Sequence, residues 1–353
     1  MMTNRSQSSG YLSKLFVAVL LFQFGCSSPA GNSTPATGNS DSLPSEIIAI
    51  NAEIANSPSD PELIYRRSKL WADKKQFDKA LEDIDKATQL DSTNPLYHFR
   101  GGEYLFALNF SQRSAAAFEQ AVKYNPNYTD AWQKLGELYL LVKEYEKSEK
   151  CWKALLRIDK NNSHAAFFRG IMYKEMGDTT KAVQAFQFAT ELDPKYIEPQ
   201  MQLGSIFSAK NNPLCVRYFQ NVIDVNPKLA EAYMARGDFY RRAGKYGEAI
   251  KDFDQTLTLQ PTNYLANYNA GVIFVMQKKW KAAAKQFTEV IDKNQGYTYA
   301  YFSRADCYQY LGEIGNARED LKKCLELDPK FPEAEKMLKG LAKWEWNKMA
   351  SLK

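Results

Sequence analysis

From residue 61 onward the apolar positions of the chain recur in blocks of 34 residues. A small residue stands at Ser68, Gly102, Gly136, Gly170, Gly204, Gly237, Gly271 and Ala305, spaced by 34 except for one interval of 33. Three residues after each comes a ring or leucine: Trp71, Leu105, Tyr139, Tyr173, Phe207, Tyr240, Phe274 and Tyr308. Later in each block a second small residue (Ala80, Ser114, Ser148, Ala182, Cys215, Ala249, Ala283, Ala317) lies four before a bulky apolar one (Ile84, Phe118, Trp152, Phe186, Phe219, Phe253, Phe287, Leu321). Spacings of three and four put these residues on one helical face. Five blocks carry proline at a shared place, Pro126, Pro194, Pro227, Pro261 and Pro329, where one helix ends and the next begins. The pattern predicts eight helical hairpins. Small positions let the paired backbones approach, and rings fill the space on either side.

The hairpins fall at 61–94, 95–128, 129–162, 163–196, 197–229, 230–263, 264–297 and 298–331. The fifth is one residue short, and the gap is expected in the turn Lys210, Asn211, Asn212, Pro213, with a shortened or kinked hairpin as the result. Ends of such arrays must tolerate water. Residues 44–60, with Ile47, Ile50 and Ile54 at helical spacing, predict one capping helix; residues 332–353, with Met337, Leu341 and Trp344 on one face, predict another. A second regularity is charged. Arg67, Arg169, Arg236 and Arg304 precede the conserved small position, and sixteen residues on, three of those four hairpins have Asp83, Asp252 and Asp320. A charge-assisted, bidentate pair between the two helices of one hairpin is the expectation; coincidence is the alternative.

These residues resemble the tetratricopeptide repeat (TPR) pattern W-x2-L-G-x2-Y…A-x3-F…A…P, which Trp132, Leu135, Gly136 and Tyr139 match letter for letter in its first half. The resemblance covers residues 61–331, more than three-quarters of the chain. It implies an all-α fold, a right-handed TPR superhelix or α-solenoid of about eight hairpins between terminal capping helices. It also implies that peptides or protein surfaces are bound in a groove lined by first helices, at their second, fifth, ninth, twelfth and thirteenth residues. In the seventh hairpin these are Leu265, Tyr268, Val272, Val275 and Met276, all apolar; in the eighth Tyr299, Phe302 and Tyr310 continue the surface, with Asp306 and Gln309 as a polar edge. This is the expected partner-binding groove. A second stripe on the terminal helix, Leu338, Ala342, Trp346 and Met349, offers a rival cover for it or a seam for a homodimer. The lysine and asparagine clamp with which some TPR domains hold acidic C-termini is absent from the fifth and ninth positions.

Residues 1–25 read as an export signal, with Arg5 and Lys14 before the apolar run Leu15 to Phe22, too short to span a bilayer. Gly25 followed by Cys26 resembles the lipobox of bacterial lipoproteins, which implies cleavage before Cys26 and its lipidation. Gln23 and Phe24 depart from the usual leucine and small residue, and an uncleaved anchor or ordinary secretion are the other readings. The segment 26–43, rich in Ser, Gly, Asn, Thr and Pro, reads as a flexible tether with a reach of roughly 20–25 Å. Ser27 lacks the aspartate of inner-membrane retention, so by resemblance an outer-membrane anchor facing the periplasm is favoured.

Composition excludes rather than assigns. With 44% apolar and 25% charged residues the chain is of ordinary globular type, and its +5 charge includes Arg5 and Lys14 of the leader. That is no footprint for nucleic acid. His98 and His164 lie at different positions in different hairpins, so no metal cluster or nucleophile–histidine arrangement is expected, and no cofactor. Cys151, Cys215, Cys307 and Cys324 fall on helices as small apolar residues, with Cys307 and Cys324 the one pair inside a single hairpin. The functional expectation is a non-catalytic, membrane-anchored scaffold for envelope proteins or peptides. A glycan-binding surface lipoprotein, a self-associating structural component and an enzyme are the alternatives.

Overall fold

The structure is a computed structural model that describes residues 44–350, with side chains as far as Leu341; the leader, Cys26, the tether and the side chains of Ala342, Trp344, Trp346 and Met349 lie outside the described residues. The described residues are all-α, without a strand, in 18 helices. The chain divides into two units, one ending at Ala49 and one running from Ile50. Helix α1 (Ser45–Asn56) begins in the first and ends in the second.

The second unit carries the hairpins. In order they are α2 (Pro61–Asp73) with α3 (Phe77–Leu90), α4 (Pro95–Ala107) with α5 (Ser111–Tyr124), and α6 (Thr129–Leu141) with α7 (Tyr145–Ile158). Then come α8 (Ser163–Glu175) with α9 (Thr179–Leu192), α10 (Ile197–Ala209) with α11 (Leu214–Val225), and α12 (Ala230–Arg242) with α13 (Tyr246–Leu259). The last are α14 (Tyr264–Met276) with α15 (Trp280–Lys293) and α16 (Thr298–Leu311) with α17 (Ile314–Leu327), followed by α18 (Pro332–Ala350). Each turn inside a hairpin holds one residue in the left-handed region: Lys75, Asn109, Lys143, Gly177, Asn211, Gly244, Lys278 and Gly312. That residue lets the chain reverse within three residues of the first helix's end.

Close approach is the reason for glycine between the two helices. A Cβ built on Gly170 would lie 2.4 Å from the ring of Phe186, which is fully buried. Glycine recurs wherever the facing residue is aromatic. The first and eighth hairpins have a Cβ instead, at Ser68 and Ala305, and there the facing residues are the aliphatic Ile84 and Leu321.

The short fifth hairpin is tightened, not kinked. Asn212 takes the place of the second helix's cap, donating to the carbonyl of Phe207 as Gln76 does to Trp71. The amide of Cys215 then bonds to the Asn212 carbonyl three residues back, where Ala80 bonds four back to Gln76. The missing residue is thus absorbed in the first turn of α11, which is 12 residues long against 14 for the other second helices.

Three arginines bind three helices together. Arg67 meets Asp83 through Nε–Oδ2 at 2.7 Å and Nη2–Oδ1 at 2.6 Å. Arg236 meets Asp252 at 2.8 and 2.6 Å, and Arg304 meets Asp320 at 2.8 and 2.7 Å. The remaining nitrogen, Nη1, reaches back to the preceding helix, donating to Asn51, Gln220 and Thr288 respectively. Arg169 has Ala185 where the others have aspartate, and its Nη2 turns to Glu149 at 3.4 Å and the Tyr173 hydroxyl at 3.2 Å. Cys151, Cys215, Cys307 and Cys324 are buried free thiols, so Cys307 and Cys324 are not bridged. Burial pushes the Cys307 thiol up to about 12 and that of Cys324 up to about 11, away from reactivity.

Candidate functional site

The first helices differ sharply along the chain in what they place at the positions expected to line the groove. In the second, third and sixth hairpins the ninth residue is a carboxylate closed by ion pairs within its own helix: Glu103 with Arg100, Glu137 with Lys134, and Asp238 with Arg241 and Arg242. In the fourth hairpin the same face is apolar but inward, with Phe167, Phe168 and Ile171 all buried. Lys174, one turn on, donates to Gln202 of the next first helix at 2.7 Å, and burial lowers its pKa. The carboxylates of these stretches are paired within the array, although Arg100 Nε and Arg241 Nε are buried without a hydrogen-bond partner.

The seventh and eighth hairpins leave apolar side chains in water. Leu265, Met276, Tyr299 and Tyr310 are 41%, 55%, 50% and 62% exposed, respectively. Val272 and Val275 are half-buried against Phe287 and its neighbours. Tyr310 stacks on Trp280 of α15 with centroids 4.0 Å apart and planes 5° from parallel. Tyr299 lies edge-on to Phe331 at 5.4 Å. The exposed rings therefore rest on fixed partners, which limits the entropy a bound molecule would have to remove.

Tyr268 and Phe302 are in a different situation from the one their register suggests. Tyr268 packs on Phe287 at 5.5 Å and edge-on to Tyr297 at 5.2 Å, with its hydroxyl 3.5 Å from Ser303 Oγ. Phe302 packs on Phe331 at 5.1 Å. The fifth position of a first helix faces the adjoining hairpin, as the burial of Tyr65, Phe99, Phe167 and Met201 also shows. At this position a ring fills the seam between hairpins and supports the surface from beneath. What sequence reasoning missed is Trp280: it begins a second helix, yet it forms the platform for Tyr310.

Met337, Leu338 and Leu341 of α18 pack with Phe331, Ala334, Leu321 and Cys324 at the end of the last hairpin. Leu265, Met276, Tyr299 and Tyr310 are exposed, and of the second stripe on α18 only Leu338 falls among the described side chains. Among the described residues no group of His, Cys, Asp and Glu is arranged to hold a metal, and no helix is long and apolar enough to cross a membrane.

Consecutive helical hairpins packed small residue against ring define an α-solenoid. Four segments match the tetratricopeptide repeat family: residues 117–150, 163–196, 230–263 and 298–331. The first of these begins within α5, takes in the whole of α6 and ends within α7, out of phase with the hairpin boundaries. The chain is a tetratricopeptide repeat protein, with an all-α TPR superhelix as its fold. It is 22% identical to superkiller protein 3 of Schizosaccharomyces pombe over 63% of its own length and 17% of that protein's. It is 23% identical to the BBSome complex member BBS4 homolog of Drosophila melanogaster, over 69% of its own length and 52% of that protein's. The chain thus spans about half or less of these curated relatives. Among solved structures, the C-terminal part of a TPR repeat-containing protein from Cytophaga hutchinsonii superposes with a TM-score of 0.60, at 20% identity, over 67% of this chain and 98% of that one.

Proposed function

We propose that this chain is a non-catalytic scaffold that binds another protein or peptide on the first-helix face of its seventh and eighth hairpins. The observation that carries the reading is the exposed apolar set Leu265, Met276, Tyr299 and Tyr310 on two adjacent hairpins. At the ninth position the second, third and sixth hairpins carry ion-paired carboxylates and the fourth the buried Ile171, and Leu141 is a lone exposed apolar residue at the thirteenth position of the third. Exposed apolar surface of this kind marks interaction sites, and rings with one wet edge are the side chains that dominate protein interfaces. Superkiller protein 3 and the BBS4 homolog, both similar to this chain, include one protein named as a member of a complex.

Seam residues are poor probes, because Tyr268→Ser would open the packing between hairpins. The surface residues are better. Met276→Asp with Tyr299→Ser is expected to reduce recovery of a crosslinked partner from the native envelope at least tenfold. Helical circular dichroism should stay unchanged, and stability should shift by no more than about 0.5 kcal/mol, as for other surface changes. Undiminished recovery from a folded variant would place the binding surface elsewhere.

The anchoring reading belongs to the same proposal: the chain is exported, acylated at Cys26 and held at the outer membrane facing the periplasm, with the 26–43 segment as tether. Its support is the run from Leu15 to Phe22 followed by Gly25 and Cys26. Metabolic labelling with a fatty acid should mark the protein, and Cys26→Ser should abolish both the label and membrane recovery. Unlabelled wild-type protein in the soluble fraction would overturn it.

A further inference from the structure

Carboxylates stand at the ninth position of the first helix in four hairpins, and three of them are closed by a cation on the same helix. Glu103 lies 2.6 Å from Arg100, Glu137 lies 3.6 Å from Lys134, and Asp238 lies 2.7 Å from Arg241 and 3.1 Å from Arg242. Asp306 is the fourth. Its neighbours three and four residues away on α16 are Phe302, Ser303, Gln309 and Tyr310, none of them cationic. Among the described residues none forms an ion pair or hydrogen bond with its carboxylate, and burial raises the pKa of that group with no charge to oppose it.

The surroundings are those of the apolar surface described above. The approach of the Tyr268 hydroxyl to Ser303 sets α14 beside α16, and one turn further along the two helices stand Val272 and Asp306. Tyr299 and Tyr310 flank Asp306 along α16, and both are exposed. A carboxylate part-way out of water without a countercharge is an unfavourable arrangement in the free protein. A bound cation would relieve it, and an apolar rim would shield the resulting pair from solvent.

The geometry points to a partner segment that presents one lysine or arginine between apolar side chains, the cation meeting Asp306 and the apolar residues covering Met276, Tyr299 and Tyr310. This rests on the reading of that surface as a binding site and adds the charge of its occupant. The same carboxylate disfavours an acidic segment.

Three blocked, fluorescein-labelled peptides test it by anisotropy against the full chain: Gly-Phe-Leu-Lys-Leu-Phe-Gly, and the same sequence with norleucine or glutamate in place of lysine. The lysine peptide should bind about tenfold or more tightly than the norleucine peptide, as for a hydrogen bond to a charged group, and the glutamate peptide should bind most weakly. Asp306→Asn should shrink the lysine preference to under about twofold while leaving the norleucine peptide unaffected, and Met276→Asp with Tyr299→Ser should abolish binding of both. Equal binding of lysine and norleucine peptides, or a preference that survives Asp306→Asn, would overturn the cation reading; if the double variant still abolishes binding, the surface itself stands. No saturable binding by any peptide, or binding indifferent to the double variant, would overturn both. Dimerisation that excludes the lysine peptide in proportion to chain concentration would assign the site to a second copy and also overturn the proposal.

Discussion

Asp252→Ala is expected to destabilise the sixth hairpin by about 3–5 kcal/mol, the cost of leaving one partner of a buried ion pair without the other. Arg236 is held by Asp252 at two nitrogens, 2.8 and 2.6 Å away, with the arginine side chain 13% and the aspartate side chain 6% exposed. Without Asp252 the guanidinium retains Gln220 but no countercharge. Lysine at position 236 would not substitute, because a single ammonium cannot meet both oxygens and the preceding helix together. Repeat arrays lose structure in segments, so the measurement is hydrogen exchange at amides of α12 and α13 alongside urea unfolding. Arg236→Leu with Asp252→Ala should cost much less than Asp252→Ala alone, because it removes the stranded charge. Unchanged exchange and an unchanged urea midpoint in Asp252→Ala would show that the pair contributes nothing.

Gly170→Ala is expected to cost about 2–3 kcal/mol in spite of alanine's advantage of about 1 kcal/mol in a helix. The added methyl would stand 2.4 Å from the Phe186 ring, and Phe186 is fully buried, so its ring must shift within a packed core. Rescue is the stronger half of the prediction. The eighth hairpin solves the same contact with Ala305 against Leu321, so Gly170→Ala with Phe186→Leu should recover most of the loss. Thermal or urea unfolding of the single and double variants decides it. A neutral single variant would mean the hairpin can part without cost, and an unrescued double variant would mean the ring contributes more than its fit against glycine.

Much of this architecture is legible in the sequence because the repeat shows each contact eight times. The spacing of sixteen between Arg67 and Asp83 recurs at Arg236 and Arg304, and all three pairs are bidentate. The third contact of each arginine is harder to see, because its acceptors Asn51, Gln220 and Thr288 share a position sixteen residues before the arginine but no residue type. Tyr268 and Phe302 show a second limit. Register along a helix tells which side a residue takes, and the fifth position takes a side shared by the outer surface and the next hairpin. A large ring there is drawn into the seam, where it removes more apolar area from water. The sequence places the missing residue of the fifth hairpin at Lys210 to Pro213, whereas the turn keeps its usual length and the loss falls just after it, in the first turn of α11. The spacing alone does not tell these apart, since either a bend or a tighter helical turn satisfies it.

The backward reach of the arginines makes the order of hairpins matter, as syntax does for words. Arg169 follows a helix with Lys153 sixteen residues before it, and its guanidinium is found on Glu149 and Tyr173 instead. A gene duplication, or a designer, moving an arginine-bearing hairpin elsewhere must set it behind a helix that offers an acceptor at that position. Asp85, Glu119, Gln187 and Asp254 are acceptors at the corresponding places; Lys153 and Lys322 are not. Copies of the sixth hairpin could therefore be strung one after another, each arginine meeting an Asp254 equivalent, whereas the same hairpin placed after the third or the eighth would bring two cations together.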